Sequence, residues 1–151
     1  MVRKLKVLFL STGNSTRSQM AEGLTRALSH DSLIAASAGL EADALNPLAI
    51  EVMQEVGIDI STQKSKPVRD FLKEHFSFVI TVSDMAKERS PIFPFTPHLM
   101  HWDLPDPIRG NASPEEQKEA LRRVRDVIRV NVESFLSDTA VKESVRAAAT
   151  G

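Results

Sequence analysis

The segment KVLFL (residues 6–10) is a short, nearly unbroken apolar run that gives way at once to the polar STGNSTRS (11–18). A run of that length fits a strand covered on both faces, which demands helices above and below it. The rest of the chain supplies them in alternation. MAEGLTRAL (20–28) sets Met20, Leu24, Ala27 and Leu28 at helical spacing, and LIAASA (33–38), closed by Gly39, reads as a second strand. Asn46 followed by Pro47 predicts a helix start and Gly57 its end, with Leu48, Ile50, Val52, Met53 and Val56 filling the interval. STQKSKPVRDFL (61–72) predicts a polar loop leading into a short helix, and FSFVITV (76–82) is a strand rich in β-branched and aromatic residues. HLMHWDL (98–104) is a fourth strand. Ser113, Pro114 and Glu116 form a capping-box start to a long helix, along which Leu121, Val124, Ile128, Phe135 and Leu136 trace one apolar stripe.

This alternation predicts an α/β fold: a single-domain, three-layer sandwich with a four-stranded parallel sheet flanked by helices, and ligands at the carboxyl ends of the strands. A length of 151 residues suits one domain with a real core. The domain is expected over 1–138. The alanine-rich, weakly patterned tail (139–151) leaves a frayed helix and disorder both open.

Composition narrows the partners. A net charge of −1 gives no basic field for nucleic acid, and Arg3, Lys4, Lys6 and the mixed charges from Lys118 to Arg129 read as solvated faces. No apolar run approaches the roughly 18 residues of a membrane span. The first strand begins within a few residues of the start, leaving no room for a signal peptide, so a cytoplasmic, monomeric protein is expected. The chain has no cysteine, which excludes disulfides, thiolate metal sites and thiol redox chemistry. His30, His75, His98 and His101 show no metal-ligand spacing and read as packing or surface residues; no metal is expected.

The loop after the first strand carries the chemistry. Successive N–H groups of Thr12, Gly13, Asn14, Ser15 and Thr16 can form an anion nest, and the following helix adds positive potential. Gly13 permits a close approach or a left-handed turn, and Asn14 tolerates the latter nearly as well. Arg17 can add a planar fork of donors to a tetrahedral oxyanion, and Ser18 suits the helix N-cap. Neither the nucleotide P-loop nor the dinucleotide fingerprint is present: no lysine follows, and Gly13 is the loop's one glycine. The plainer alternative is a polar strand-to-helix turn.

VLFLSTGNSTRSQMAEG, together with SAG (37–39), VITVSDMAKERSP (79–91) and HWDLPDP (101–107), resembles low-molecular-weight protein tyrosine phosphatases and, more closely, the thioredoxin-coupled arsenate reductases of the same superfamily. The resemblance spans roughly residues 5–136. It implies a nucleophile at Ser11, where the family carries cysteine, oxyanion binding by the loop amides and Arg17, support of the nucleophile by Ser18, and leaving-group protonation by Asp106. Asp106 also lies between two prolines, in a stiff loop that can present an acid over the cradle; an ordinary turn aspartate is the alternative. The resemblance implies a redox relay at Ser83 and Ser90, ending in a disulfide reduced by thioredoxin, and a potassium site at Asn14, Glu22 and Ser37. At the fourth position of that site stands Lys66, whose ammonium can replace the ion.

Every place where the family uses sulfur, Thr16 included, therefore holds a hydroxyl. Serine needs an adjacent general base, and no histidine lies in or beside the loop. The expectation is an arsenate-reductase scaffold that binds arsenate, phosphate or sulfate with negligible turnover and no cofactor. It reads as an engineered cysteine-free version, with a natural pseudoenzyme or oxyanion-binding regulator as the alternative. A tyrosine phosphatase is the other alternative, weakened by DPIRG (106–110), which lacks an aromatic pair, and by the absence of tyrosine.

Overall fold

The computed structural model describes residues 4–91, 93, 96, 98–108 and 110–150; Arg3 and the arginine of DPIRG lie outside them. The elements run β1 (Leu5–Ser11), α1 (Arg17–Leu28), β2 (Leu33–Gly39), α2 (Pro47–Gln54), a 3-10 turn (Val68–Phe71), β3 (Phe78–Thr81), α3 (Asp84–Arg89), β4 (His98–His101), α4 (Pro114–Ser137) and α5 (Thr139–Thr150). The four strands form one parallel sheet in the order β2-β1-β3-β4, giving the α/β three-layer sandwich expected from the alternation.

β1 is covered on both faces, as its composition requires. Leu5, Val7 and Phe9 join one core, with Phe78 and Ile80 of β3, Met20 and Leu24 of α1, Val52 and Met53 of α2, and Leu121, Ile128 and Phe135 of α4. Leu8 and Leu10 point to the other face, where Val79, Val68, Phe76, Ala86 and Phe93 close a smaller core. The two-residue period of the strand thus divides one apolar run between two layers. From β1 the chain crosses to β2 on one side, and β3 lies on the other. The loops that leave the carboxyl ends of β1 and β3 diverge there, which is where doubly wound sheets open a crevice.

Several local expectations are sharpened. Asn46 caps α2 by accepting from the Leu48 N–H at 2.9 Å, Pro47 follows it, and Gly57 adopts a left-handed φ of 77° just beyond. Ser113 and Glu116 make the reciprocal capping box of α4. β3 and β4 are shorter than the apolar runs that announced them. Phe76 already packs in the smaller core before the sheet begins. β4 ends at His101, although the Trp102 N–H still reaches the Thr81 carbonyl at 2.9 Å. As the edge strand it leaves Leu99 70% exposed.

The tail is α5. Asp138 Oδ1 accepts from the N–H groups of Ala140 at 2.9 Å and Val141 at 3.2 Å, and Val141 is buried against the main core, with Val145 and Ala148 packed on it. Val141, Val145 and Ala148, at helical spacing in an alanine-rich tail, form a real anchoring face. No helix among the described residues is long and apolar enough to cross a membrane.

Candidate active site

Ser11 closes β1, opposite Gly39 of β2, and is buried. Its Oγ stands 2.6 Å from Ser18 Oγ and accepts the Asn14 N–H at 3.1 Å. Ser18 in turn accepts from Asn14 Nδ2 at 2.8 Å. Two donors can thus converge on the atom at position 11, an arrangement that favours negative charge on it. Among the described residues, the hydrogen-bond partners of that atom are a hydroxyl and an amide, neither of which is a base that takes a proton from serine.

The expected N-cap is corrected here. α1 starts at Arg17 and its N-cap is Thr16, without a side-chain cap bond; Ser18 lies in the first turn instead. That shift by two positions turns the Ser18 hydroxyl back onto Ser11 rather than onto the helix amides.

Asn14, fully buried, takes the left-handed turn at φ 54°, while Gly13 serves the close approach: a Cβ there would collide with the Asp43 carboxylate. The cost of a non-glycine residue in this region is about 1–2 kcal/mol. It is offset by complete bonding. Asn14 Oδ1 accepts from the Lys66 N–H at 2.9 Å and from Gln19 Nε2 at 3.1 Å, and the Asn14 carbonyl accepts from Gln19 Nε2 at 3.0 Å. Gln19 also reaches the Lys64 carbonyl and accepts from Gln63, and Ser65 Oγ donates to the Gly13 carbonyl at 3.1 Å. The segment 63–66 therefore braces the loop from behind. Gln19, Gln63 and Ser65 were not legible as site residues; the available signal was a glutamine on what would otherwise be an apolar helix face.

Arg17 is buried and donates from Nη1 to the Leu104 carbonyl at 3.1 Å, which docks it on the loop bearing Asp106. Thr12, Arg17, Ser83, Asp84, Asp103 and Asp106 share the lining of one open cleft of about 440 Å³. Asp106 is exposed at its rim and accepts the Ile108 N–H at 2.9 Å. Ser83 caps α3, accepting the Ala86 N–H, and its Oγ lies 3.0 Å from Thr12 Oγ1. Ser90 lies at the other end of this helix, half-buried, with its hydroxyl on the Pro91 carbonyl. Of the two serines, only Ser83 touches the loop.

Behind the cradle, Glu22 is buried and accepts from Ser37 Oγ at 2.7 Å and from Arg26 at 2.6 Å. Lys66 Nζ stands 3.9 Å from Glu22 and donates to the Lys64 carbonyl. Burial pushes the Lys66 ammonium below the usual lysine range, and Glu22 pulls it back. Asn14, Glu22, Ser37 and Lys66 are thus brought together, with two cationic side chains on one carboxylate.

Comparison with known proteins identifies the family and the fold. The family model for low molecular weight phosphotyrosine protein phosphatase matches residues 6–147. The chain belongs to that family. Within it, the chain is 40% identical over 129 residues to an arsenate reductase of Shouchella clausii, covering 85% of this chain and 93% of the relative. It is 40% identical over 131 residues to an arsenate reductase of Bacillus subtilis, covering 85% and 93%. A solved arsenate reductase in its phosphate-binding state superposes with a TM-score of 0.76 at 34% identity, over 88% of this chain and 97% of that one. Another in the oxidized state gives 0.75 at 36% identity, over 87% and 96%.

Gly39 tests how rigidly the loop is held. A Cβ there would lie 2.7 Å from the Asn14 nitrogen and 2.8 Å from the Gly13 carbonyl carbon, both backbone atoms. Gly39→Ala is expected to lower stability by about 2 kcal/mol in urea unfolding. A loss under about 0.5 kcal/mol would show that the loop yields freely.

Proposed function

We propose that this chain is an arsenate-reductase scaffold that acts in the cytoplasm, retains the oxyanion cradle and lacks the chemistry to turn over. Arsenate, phosphate or sulfate sits over the β1–α1 loop, held by amides of residues 12–17 and the Arg17 guanidinium. Ser11 occupies the nucleophile position, Ser18 supports it, and Asp106 stands where a leaving group would take its proton. The observation that carries this reading is the buried Ser11–Ser18 contact, with Arg17 docked beside it on the loop that bears Asp106.

A thiol at position 11 would ionise readily in the field of the helix N-terminus and Arg17, since thiols start near a pKa of about 8.5. A hydroxyl starts much higher and has no base beside it, so its alkoxide is scarce at neutral pH. Serines at 83 and 90 cannot form the disulfide that the relay to thioredoxin requires. Binding does not depend on the sulfur, because the charges and donors that recognise the anion lie elsewhere in the loop. A natural non-catalytic oxyanion binder has the same chemistry as an engineered cysteine-free form. The phosphatase reading has less support, since the chain has no tyrosine to stack on a phenyl ring.

Calorimetry with phosphate or arsenate on the chain is expected to give saturable binding that Arg17→Ala abolishes; equal binding by that variant contradicts the cradle. Restoring the sulfur separates the enzymes. Ser11→Cys alone should hydrolyse a small aryl phosphate slowly, and the triple change at 11, 83 and 90 should reduce arsenate with thioredoxin. Failure of both assays leaves the binder alone. Lys66 is read as standing in for potassium, so the melting temperature should be the same in potassium and sodium chloride; a rise specific to potassium contradicts that role.

A further inference from the structure

His101, Asp84 and Asp103 come from three separate places, the end of β4, the start of α3 and the loop after β4, and the two carboxylates line the cleft. One ligand atom from each lies within 4.8 Å of the others. Donors on a tetrahedral ion at about 2.0–2.2 Å stand roughly 3.4 Å apart, so a small closing movement completes the set. Both carboxylates are exposed and free to make it. Asp84 has a cationic contact in His101 Nε2, 3.6 Å from its Oδ1. That separation is too long for a hydrogen bond.

The imidazole is oriented from the other side. His101 Nδ1 lies 2.7 Å from Thr81 Oγ1, and the same hydroxyl donates to the Met100 carbonyl at 3.3 Å. A hydroxyl has one proton; when it goes to the carbonyl, Thr81 Oγ1 accepts from Nδ1–H, the pairing that a metal on Nε2 selects. The lone pair is then on Nε2, on the side of the two carboxylates, in the ring form that ligates metals. This second partner, outside the acidic pair, distinguishes the cluster from a chance gathering of surface acids.

We propose that Asp84, His101 and Asp103 form a three-ligand site for a divalent transition-metal ion of the zinc class, with its open coordination positions facing the anion-binding cleft. The mixed imidazole and carboxylate donors suit zinc or cobalt; magnesium and calcium prefer all-oxygen sets, and the chain offers no thiolate for softer ions. Asp84 and Asp103 share the cleft lining with Thr12, Arg17 and Asp106. A tetrahedral anion entering there meets three carboxylates, and a bound dication would offset them and lend a ligand position to one anion oxygen. The metal site stands on its own geometry; its coupling to an anion rests on the oxyanion reading above.

The test is titration of the whole chain with Co²⁺, followed by its visible absorption, and with Zn²⁺ by calorimetry, in the absence of any oxyanion. One ion per chain is expected. His101→Gln and Asp103→Asn should each weaken binding at least about tenfold, and Thr81→Val by about tenfold through loss of ring orientation, while His98→Gln changes nothing. Absence of saturable binding, or unchanged affinity in Asp103→Asn, overturns the proposal. Asp103 is exposed, so its variant tests the site even if His101→Gln unfolds. Sulfate, which forms no insoluble zinc salt, should bind more tightly to the zinc-loaded chain and, by linkage, tighten zinc in return. Equal sulfate affinity with and without zinc overturns the placement of the open positions. Metal binding with no sulfate binding under any condition supports the three-ligand site and contradicts the oxyanion reading.

Discussion

The shape of the β1–α1 loop depends on Asn14. A fully buried asparagine in left-handed backbone is unfavourable by itself, and it persists because every polar group of the residue is bonded. Its amide fixes Ser11, its side-chain nitrogen fixes Ser18, and its side-chain oxygen ties the loop to Lys66. The loop's curvature, the placement of position 11 and the brace from segment 63–66 are therefore one cooperative unit. Removing any member leaves a buried donor or acceptor unsatisfied, which costs about 1–3 kcal/mol.

That unit bears on how a loop of this family can keep its shape with serine at position 11. Ser11 makes the same class of hydrogen bonds as a cysteine would accept, with a slightly smaller atom. In the proposed reading, anion recognition draws on Arg17 and the amides and not on the atom at position 11. Reactivity alone is sensitive to the exchange, because it depends on how much of the nucleophile is charged at neutral pH.

The architecture was legible because burial leaves strong marks in sequence. KVLFL fits a strand between two layers, and the paired caps at Asn46 and Ser113 announced their helices. The β1–α1 loop was legible through residue chemistry: a glycine, an asparagine and an arginine in one polar turn before a helix. Three things were not. The N-cap is Thr16 and not Ser18, whose hydroxyl instead meets Ser11 Oγ, a tertiary contact with no local signature. The brace by Gln19, Gln63 and Ser65 depends on two segments 44 residues apart meeting through Gln63 and Gln19. The cluster of His101 with Asp84 and Asp103 joins the ends of two parallel strands, so the spacing along the chain relates His101 to Asp103 and leaves Asp84 out.

The central claim is that a tetrahedral anion is held at the carboxyl end of β1 by this loop and Arg17. Anomalous diffraction at the arsenic edge, from crystals soaked in arsenate, measures that directly. The account requires one arsenic peak over the loop, with its oxygens at about 3 Å from the amides of residues 12–17 and from the Arg17 guanidinium. An arsenic peak elsewhere, or an empty loop with Arg17 turned out to solvent, would contradict it.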